Sequence, residues 1–377
     1  MVIGFDGKRA VCNTTGLGNY SRLIIDEVSR HFPEHQYKIY SPKADSDHRL
    51  DGLADRGNVS LHLPESAMMG KSVWRSVCGM SAQAERDGVE IFHGLSGELP
   101  LDVSRHAFKS VVTVHDLIFC YFPELYGFIN TAIYKFKCRS ACRAADRIVA
   151  VSECTKRDIV KFIGISPSKI DVVYQGCNPI FSLPVSVDDV DRVRKSYSLP
   201  EKYLLNVGTI EERKNVLLIV KALEKLDDKD IPLIVIGRKM KYAMMVEDYA
   251  RHHGLENRIR YLSDVPTADL PALYHMASIF IYPSRYEGFG IPIIEAQSCG
   301  APVIAATGSC LEEAAGSGAL MVHPDSVDGM IESINTILKD DTVKNDLIEK
   351  GYENIMRFGP SVVAQSMMSV YHRVLQS

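Results

Sequence analysis

The chain has 377 residues, 46% hydrophobic and 24% charged, with a net charge of −4. That length suits two domains, each able to bury its own core. The charge balance excludes nucleic-acid binding driven by a strongly basic surface. No uncharged apolar run reaches the roughly 18 residues of a membrane-spanning helix, and the opening "MVIGFDGKRA" is expected to be a first strand rather than a signal peptide.

In chain order, short β-rich apolar runs alternate with helical patterns. Strands are expected at residues 2–5, 37–40, 91–92, 110–114, 147–151 and 170–173, with a helix at 21–30. The alternation breaks at residues 178–200, "NPIFSLPVSVDDVDRVRKSYSLP", where three prolines and a cluster of acids suggest a linker and a short helix. It restarts with strands at 203–207, 233–236, 259–261, 279–282 and 302–305, and helices at 215–225 and 330–338. Several runs are almost wholly apolar, as parallel strands covered on both faces must be. The expected fold class is therefore α/β, with two doubly wound sheets on either side of the linker. The nine cysteines are odd in number and no secretory signal is expected, so no disulfide framework is expected. Cys138 and Cys142 could share a helix face, but a zinc site needs about four suitably spaced ligands, and inert thiols are the simpler reading.

Residues 284–304, "SRYEGFGIPIIEAQSCGAPVI", place Glu287 and Glu295 around a glycine-rich turn. A buried strand precedes the turn and a helix follows, with Pro292 in its first turn, where proline is tolerated. Gly288 and Gly290 allow the backbone to approach a ligand. Free amides and the helix dipole make such a start an anion site, suited to a pyrophosphate at a strand's C-terminal end. Glu295, expected in the first turn, could accept hydrogen bonds from a ribose diol. The bland reading is a strand–turn–helix with two solvated acids.

This stretch resembles the E-x7-E signature of retaining glycosyltransferases of family four, which have the GT-B architecture. Further landmarks follow in order: "GLGNY" at 16–20 as a glycine loop, "TVHDL" at 113–117, "VSECTKRDI" at 151–159, "VYQGCN" at 173–178 with Asn178 in place of the common Asp, "NVGTIEERKNV" at 206–216 and "SCLEEAAG" at 309–316. The resemblance covers almost the whole chain. It implies two Rossmann-like domains facing each other across a cleft. Residues 1–180 plus 361–377 would form the acceptor-side domain and residues 181–360 the nucleotide-sugar domain. It implies catalytic roles for His115, Glu287, Arg213 and Lys214. Donor binding would involve Gly16, Gly18, Gly208, Arg213, Lys214, Gly288, Phe289, Gly290, Ile291 and Glu295. Arg213 and Lys214 would neutralise the diphosphate leaving group. The sugar nucleotide is a substrate in this reading, and no cofactor or metal is expected. Mannose from GDP-mannose is the leading expectation, because "HDLIF…FPELY" and "SECTKRDI" resemble bacterial mannosyltransferase-type members. A glycan or lipid-linked acceptor in surface polysaccharide synthesis and a cytoplasmic location follow.

Three rivals remain: a sugar-nucleotide epimerase of related architecture, a glycosidase using Glu287 and Glu295, and a non-catalytic sugar-nucleotide-binding protein. Asp45-Ser46-Asp47 matches the manganese-binding D-x-D of a different glycosyltransferase architecture, but it sits in a polar segment and reads as coincidence. Lys135, Arg139, Arg143 and Arg147 recur every four residues, in a segment (131–157) with seven basic and two acidic residues. This stripe reads as a solvated helix face, the commoner case, or as a peripheral contact with anionic membrane.

Overall fold

Apolar side chains on both faces of a strand demand cover on both sides, and two sheets are built around such runs. The computed structural model describes residues 1–65 and 70–376. It divides into an N-terminal unit, residues 1–176 and 359–377, and a C-terminal unit, residues 177–358. Ser377, the end of the expected segment 361–377, lies outside the described residues.

The N-terminal unit carries a parallel sheet of β1 (Val2–Asp6), β2 (Gln36–Tyr40), β3 (Val59–His62), β4 (Ile91–Gly94), β5 (Lys109–Val114), β6 (Arg147–Ala150) and β7 (Ile170–Val172). The spatial order is β3-β2-β1-β4-β5-β6-β7. Ile3 stands opposite Ile91, and Val112 opposite Ile148. The C-terminal unit repeats the plan with β8 (Leu204–Val207), β9 (Leu233–Ile236), β10 (Ile259–Leu262), β11 (Ile279–Tyr282), β12 (Val303–Ala306) and β13 (Ala319–Val322), in the order β10-β9-β8-β11-β12-β13. Each sheet therefore reverses its winding once, between β1 and β4 in the first and between β8 and β11 in the second. Loops diverge at such a point and leave a crevice at the strands' C-terminal ends.

The helix Val216–Leu223 is buried on most of its surface against β8, β9 and the helix Val327–Lys339, which places Leu204, Ile219, Leu233, Ile281 and Ile334 in one core. In the N-terminal unit, Gly16–His31 packs against Pro360–Leu375. The second helix is fastened by a buried hydrogen bond of 2.8 Å between the Tyr371 hydroxyl and His93 Nδ1.

Four sequence expectations need correction. Strand β3 escapes an apolar-run reading because it lies at a sheet edge, where cover is partial and Ser60 and His62 intrude; β13, also at an edge, is a wholly apolar run that the expected strands leave out. The "GLGNY" segment is the first turn of the helix Gly16–His31 rather than a loop before it. A Cβ on Gly18 would lie 2.0 Å from the Asn13 carbonyl oxygen and 3.1 Å from that of Arg9, so this glycine lets the helix start sit on the preceding backbone. Finally, the basic stripe is broken. The helix Phe128–Ala144 carries Lys135, Arg139 and Arg143, whereas Arg147 begins β6 and pairs with Asp171 at 2.7 Å. Asp45 and Asp47 serve their own turn: Asp45 accepts the backbone N–H groups of Arg49 and Leu50, and Asp47 pairs with the Arg49 side chain.

The two glycines of the helix start should behave differently. Gly18→Ala should destabilise by about 1–3 kcal/mol, since the new methyl meets backbone that cannot swing away. Gly16 has nothing within 4 Å of its ideal Cβ, so Gly16→Ala should leave stability level or raise it by up to about 1 kcal/mol. Chemical denaturation of the two variants checks this, and equal behaviour would remove the packing role given to Gly18.

Candidate active site

In the C-terminal unit, the ends of β8 and β11 bring distant residues together. After β8 the chain forms a short turn, Glu212–Lys214, and Asn215 then adopts a left-handed conformation with φ of 59° before the next helix. Its side-chain amide donates to the carbonyls of Pro283 at 3.2 Å and Pro324 at 2.7 Å. The turn is thereby tied to the loop after β11. Two further hydrogen bonds reinforce it, from Arg285 N–H at 2.8 Å and the Ser284 hydroxyl at 3.2 Å to the Arg213 carbonyl.

This arrangement encloses Glu287 among donors. Its Oε1 accepts from Lys214 Nζ at 2.5 Å, Ser284 Oγ at 2.7 Å and Tyr282 hydroxyl at 2.9 Å. Its Oε2 lies 2.8 Å from Arg213 Nη1. Arg213 also donates to the Tyr286 carbonyl and pairs with Glu211 at 2.6 Å, while its buried Nε–H has no acceptor among the described residues. Lys214 also donates to the Tyr282 hydroxyl. Burial alone would raise the Glu287 carboxyl's pKa, but Lys214 and Arg213 outweigh it and hold the value down at about 2.

Gly208 follows β8 with φ of 144°, and its ideal Cβ would meet the Lys214 side chain at 3.7 Å. Gly290 precedes the helix Ile291–Ser298 with φ of 117°, and a Cβ there would crowd Leu311 at 2.9 Å. The Phe289 side chain is buried against Phe358, with ring centroids 5.3 Å apart, which leaves only its backbone for a ligand. Gly288 and Ile291 flank that segment and are partly buried.

Glu295 lies in the helix's second turn, one turn later than expected, because the helix begins at Ile291 and Pro292 fills its opening. Its Oε2 accepts from the Tyr274 hydroxyl at 3.0 Å, and no cation pairs with it among the described residues. Burial raises its pKa to about 7, and the Tyr274 bond opposes that only in part.

In the N-terminal unit, His115 follows β5. Its Nε2 lies 2.9 Å from the Leu95 carbonyl oxygen, which can only accept, so Nε2 carries the proton. Nδ1 is then the acceptor, 3.2 Å from the Gln175 side-chain nitrogen. The Tyr20 ring stands edge-on to the imidazole with centroids 4.5 Å apart, and Thr155 Oγ1 donates to the His115 carbonyl at 3.1 Å. Thr155 belongs to the helix capped by Ser152, whose Oγ accepts the Thr155 N–H at 3.0 Å. Burial chiefly, with the Arg9 charge adding, depresses the His115 pKa to about 4 despite the Leu95 bond. The ring is neutral near pH 7.

Structure thus gathers Arg213, Lys214, Glu287 and Gly208 in one cluster, and sets Gly290 and Glu295 on the adjoining helix. It places His115, Gly16 and Gly18 in the other unit. Glu211, Tyr282, Ser284, Asn215, Tyr274, Gln175 and Thr155 escaped the sequence reading. Ser284 and Tyr282 had a visible signal, since polar atoms at the end of an apolar strand beside a glutamate need partners. Among the described residues no group of three or more His, Cys, Asp or Glu side chains is arranged to hold a metal ion.

Comparison with known proteins places this site in a family. Residues 16–180 match the model described as Glycosyltransferase Family 4, and residues 189–354 the model described as Glycosyl transferases group 1. The chain is 30% identical over 356 residues to O-antigen chain mannosyltransferase B of Escherichia coli, spanning 91% of this chain and 92% of that protein. It is also 30% identical over 229 residues to O-antigen chain mannosyltransferase RfbU of Salmonella typhimurium, 61% of each chain. Sucrose-phosphate synthase from Thermosynechococcus elongatus shares the fold with a TM-score of 0.77 at 17% identity, over 100% of this chain and 99% of that one. Anabaena HepE, solved in complex with UDP-glucose, gives 0.75 at 18% identity over 99% of each. The chain belongs to the family-four glycosyltransferases and has the GT-B architecture, with two parallel-sheet α/β domains.

The Glu287 cluster has a measurable acid signature. A carboxyl whose folded pKa is depressed contributes stability above its unfolded value of 4.5, and loses it as the pH falls toward 2. Glu287→Gln should cost about 3–5 kcal/mol near neutrality, because the buried Arg213 and the partly buried Lys214 lose their shared partner. The gap between wild type and variant should close as acid protonates the wild-type carboxyl. Urea denaturation across that range checks it; a gap that stays constant with pH would mean that Glu287 contributes no charge pairing.

Proposed function

We propose that the chain is a retaining, metal-independent hexosyltransferase. It moves mannose from GDP-mannose to a glycan or lipid-linked acceptor in surface polysaccharide synthesis. The observation that carries this reading is the Arg213–Lys214–Glu287 cluster at the switch point between β8 and β11. The names of the O-antigen mannosyltransferases similar to this chain support the sugar and the pathway class.

In this reading the C-terminal unit holds the nucleoside diphosphate, and the N-terminal unit supplies His115 and the acceptor surface. The bond from the anomeric carbon to the outer phosphate breaks. The acceptor hydroxyl attacks from the same face, and its proton passes to the departing phosphate oxygen. Charge grows on that phosphate, so preorganised donors there act most strongly in the transition state. Glu287 and Glu211 already offset much of the charge on Arg213 and Lys214, which makes these two residues positioned donors rather than free cations. An ammonium has three N–H bonds; two of those on Lys214 are committed to Glu287 and Tyr282. The third is assigned to the diphosphate. A cytoplasmic enzyme working at the inner membrane face fits a lipid-linked acceptor.

The test is incubation with a panel of nucleotide sugars and lipid-linked saccharides. Transfer should be fastest with GDP-mannose, release GDP only when acceptor is present, conserve the anomeric configuration by NMR and survive EDTA. An epimerised donor, hydrolysis without nucleotide, or binding without turnover would each select a rival. Inversion at the anomeric carbon or a manganese requirement would overturn the mechanism.

Glu295 gives a second handle. A carboxylate accepting from a ribose diol binds ionised, yet burial keeps Glu295 protonated up to a pH of about 7. The affinity for GDP-mannose, whose phosphates do not titrate near neutrality, should rise by up to about tenfold per pH unit below that point and then level off. Glu295→Gln should flatten the profile and cost about 1.5–3 kcal/mol of binding on the alkaline side. Calorimetric titration reads both, and a Glu295→Gln enzyme with wild-type affinity and slope would end the ribose assignment.

A further inference from the structure

The helix Phe128–Ala144, "FINTAIYKFKCRSACRA", has its apolar side facing outward. Thr131, Cys138, Ala141 and Cys142 are buried. On the opposite side Phe128 is 91% exposed, Ile129 74%, Phe136 63% and Ile133 46%. At 3.6 residues per turn these four fall within one broad arc. The row Lys135, Arg139, Arg143 runs alongside it at four-residue spacing, exposed, with no acid paired to any of the three among the described residues. The helix contains no Asp or Glu at all. Water-facing phenylalanines on a folded helix imply a partner, and the flanking cations define its charge.

We propose that this helix face docks on an anionic lipid bilayer, with Phe128, Ile129, Ile133 and Phe136 entering the headgroup–acyl boundary and Lys135, Arg139 and Arg143 meeting lipid phosphates. A helix lying in the interface plane combines apolar burial with electrostatic attraction in this way. A second copy of the chain fits less well. A twofold contact through this face would set its three unpaired cations against their own equivalents, with no acid on the helix to offset them. The inference deepens the lipid-linked-acceptor reading and rests on it for its purpose, since docking would bring the enzyme to an acceptor carried in the same surface. The docking itself needs neither donor nor acceptor.

The test is co-sedimentation of the full chain with vesicles of phosphatidylcholine, alone or mixed with phosphatidylglycerol. Binding should require phosphatidylglycerol and fade with salt over a screening length of about 10 Å at 0.1 M. Replacing Lys135, Arg139 and Arg143 by Gln should weaken it about fivefold per cation. Phe128→Ser with Phe136→Ser should weaken it by about tenfold or more. Both variants should keep the wild-type melting temperature and the wild-type turnover on a water-soluble acceptor. No binding to anionic vesicles at low salt would overturn the proposal, as would wild-type binding by both variants. So would a wild-type dimer in sedimentation velocity that the Phe pair converts to monomers, which would make the face a contact between copies. Loss of vesicle binding leaves sugar transfer measurable, so this inference and the proposed reaction fail separately.

Discussion

Two adjacent cations cannot be buried without a counter-charge, and that constraint organises the C-terminal unit. Arg213 and Lys214 sit on one short turn, and the carboxylate that answers both arrives from the loop after β11. Unpaired, each ion would cost several kcal/mol to desolvate. Paired, they fasten two loops that diverge from neighbouring strands at the sheet's reversal point. The fastening extends outward through neutral bonds: Asn215 reaches Pro283 and Pro324, and the Cys310 thiol lies 3.0 Å from the Glu287 carbonyl. The crevice that any doubly wound sheet leaves at this point therefore has a rigid, charge-balanced floor.

The two glutamates of one motif have opposite electrostatics, and the difference comes from their partners rather than their depth. Glu287 meets two cations and two hydroxyls and stays ionised into strong acid. Glu295 meets one phenol, feels no cation, and is pushed up to about 7. Glu287 stabilises the fold above its ordinary titration range. Glu295 does the reverse: its contribution is complete below the unfolded pKa and lost as the pH rises through about 7. In this chain the first glutamate ties two loops together by charge, and the second keeps its proton up to a pH of about 7.

Much of this was legible in the sequence, for a physical reason. Parallel strands buried on both faces leave uninterrupted apolar runs, and the central strands of both sheets announced themselves so. At the edges β7 and β10 remained readable, whereas Ser60 and His62 interrupt β3. Glycine's low helix propensity hid the start of Gly16–His31, because a packing need at Gly18 overrides propensity there. The motif located Glu287, Arg213 and Lys214, but not that they are one ion cluster, since spacing along a chain does not report closeness across a sheet. Backbone acceptors were invisible altogether. The Leu95 carbonyl that sets the His115 tautomer could belong to any residue type, so no side-chain pattern encodes it.

The Leu95 carbonyl limits what His115 can do. With Nε2–H committed to a carbonyl and Nδ1 accepting from Gln175, the ring offers a ligand only what it can take over from Gln175. Burial depresses its pKa to about 4, which keeps it neutral. Tyr20 abuts its face, and the Tyr20 hydroxyl lies 3.2 Å from Thr113, which in turn meets His93 at 2.9 Å. His93 holds Tyr371 on the chain's last helix. The N-terminal unit thus answers the C-terminal one in a different idiom. Where Arg213, Lys214 and Glu287 fix geometry by balancing full charges, the histidine side fixes it through neutral, buried, hydrogen-bonded groups. A neutral chain of this kind positions a polar atom without the desolvation cost of an ion.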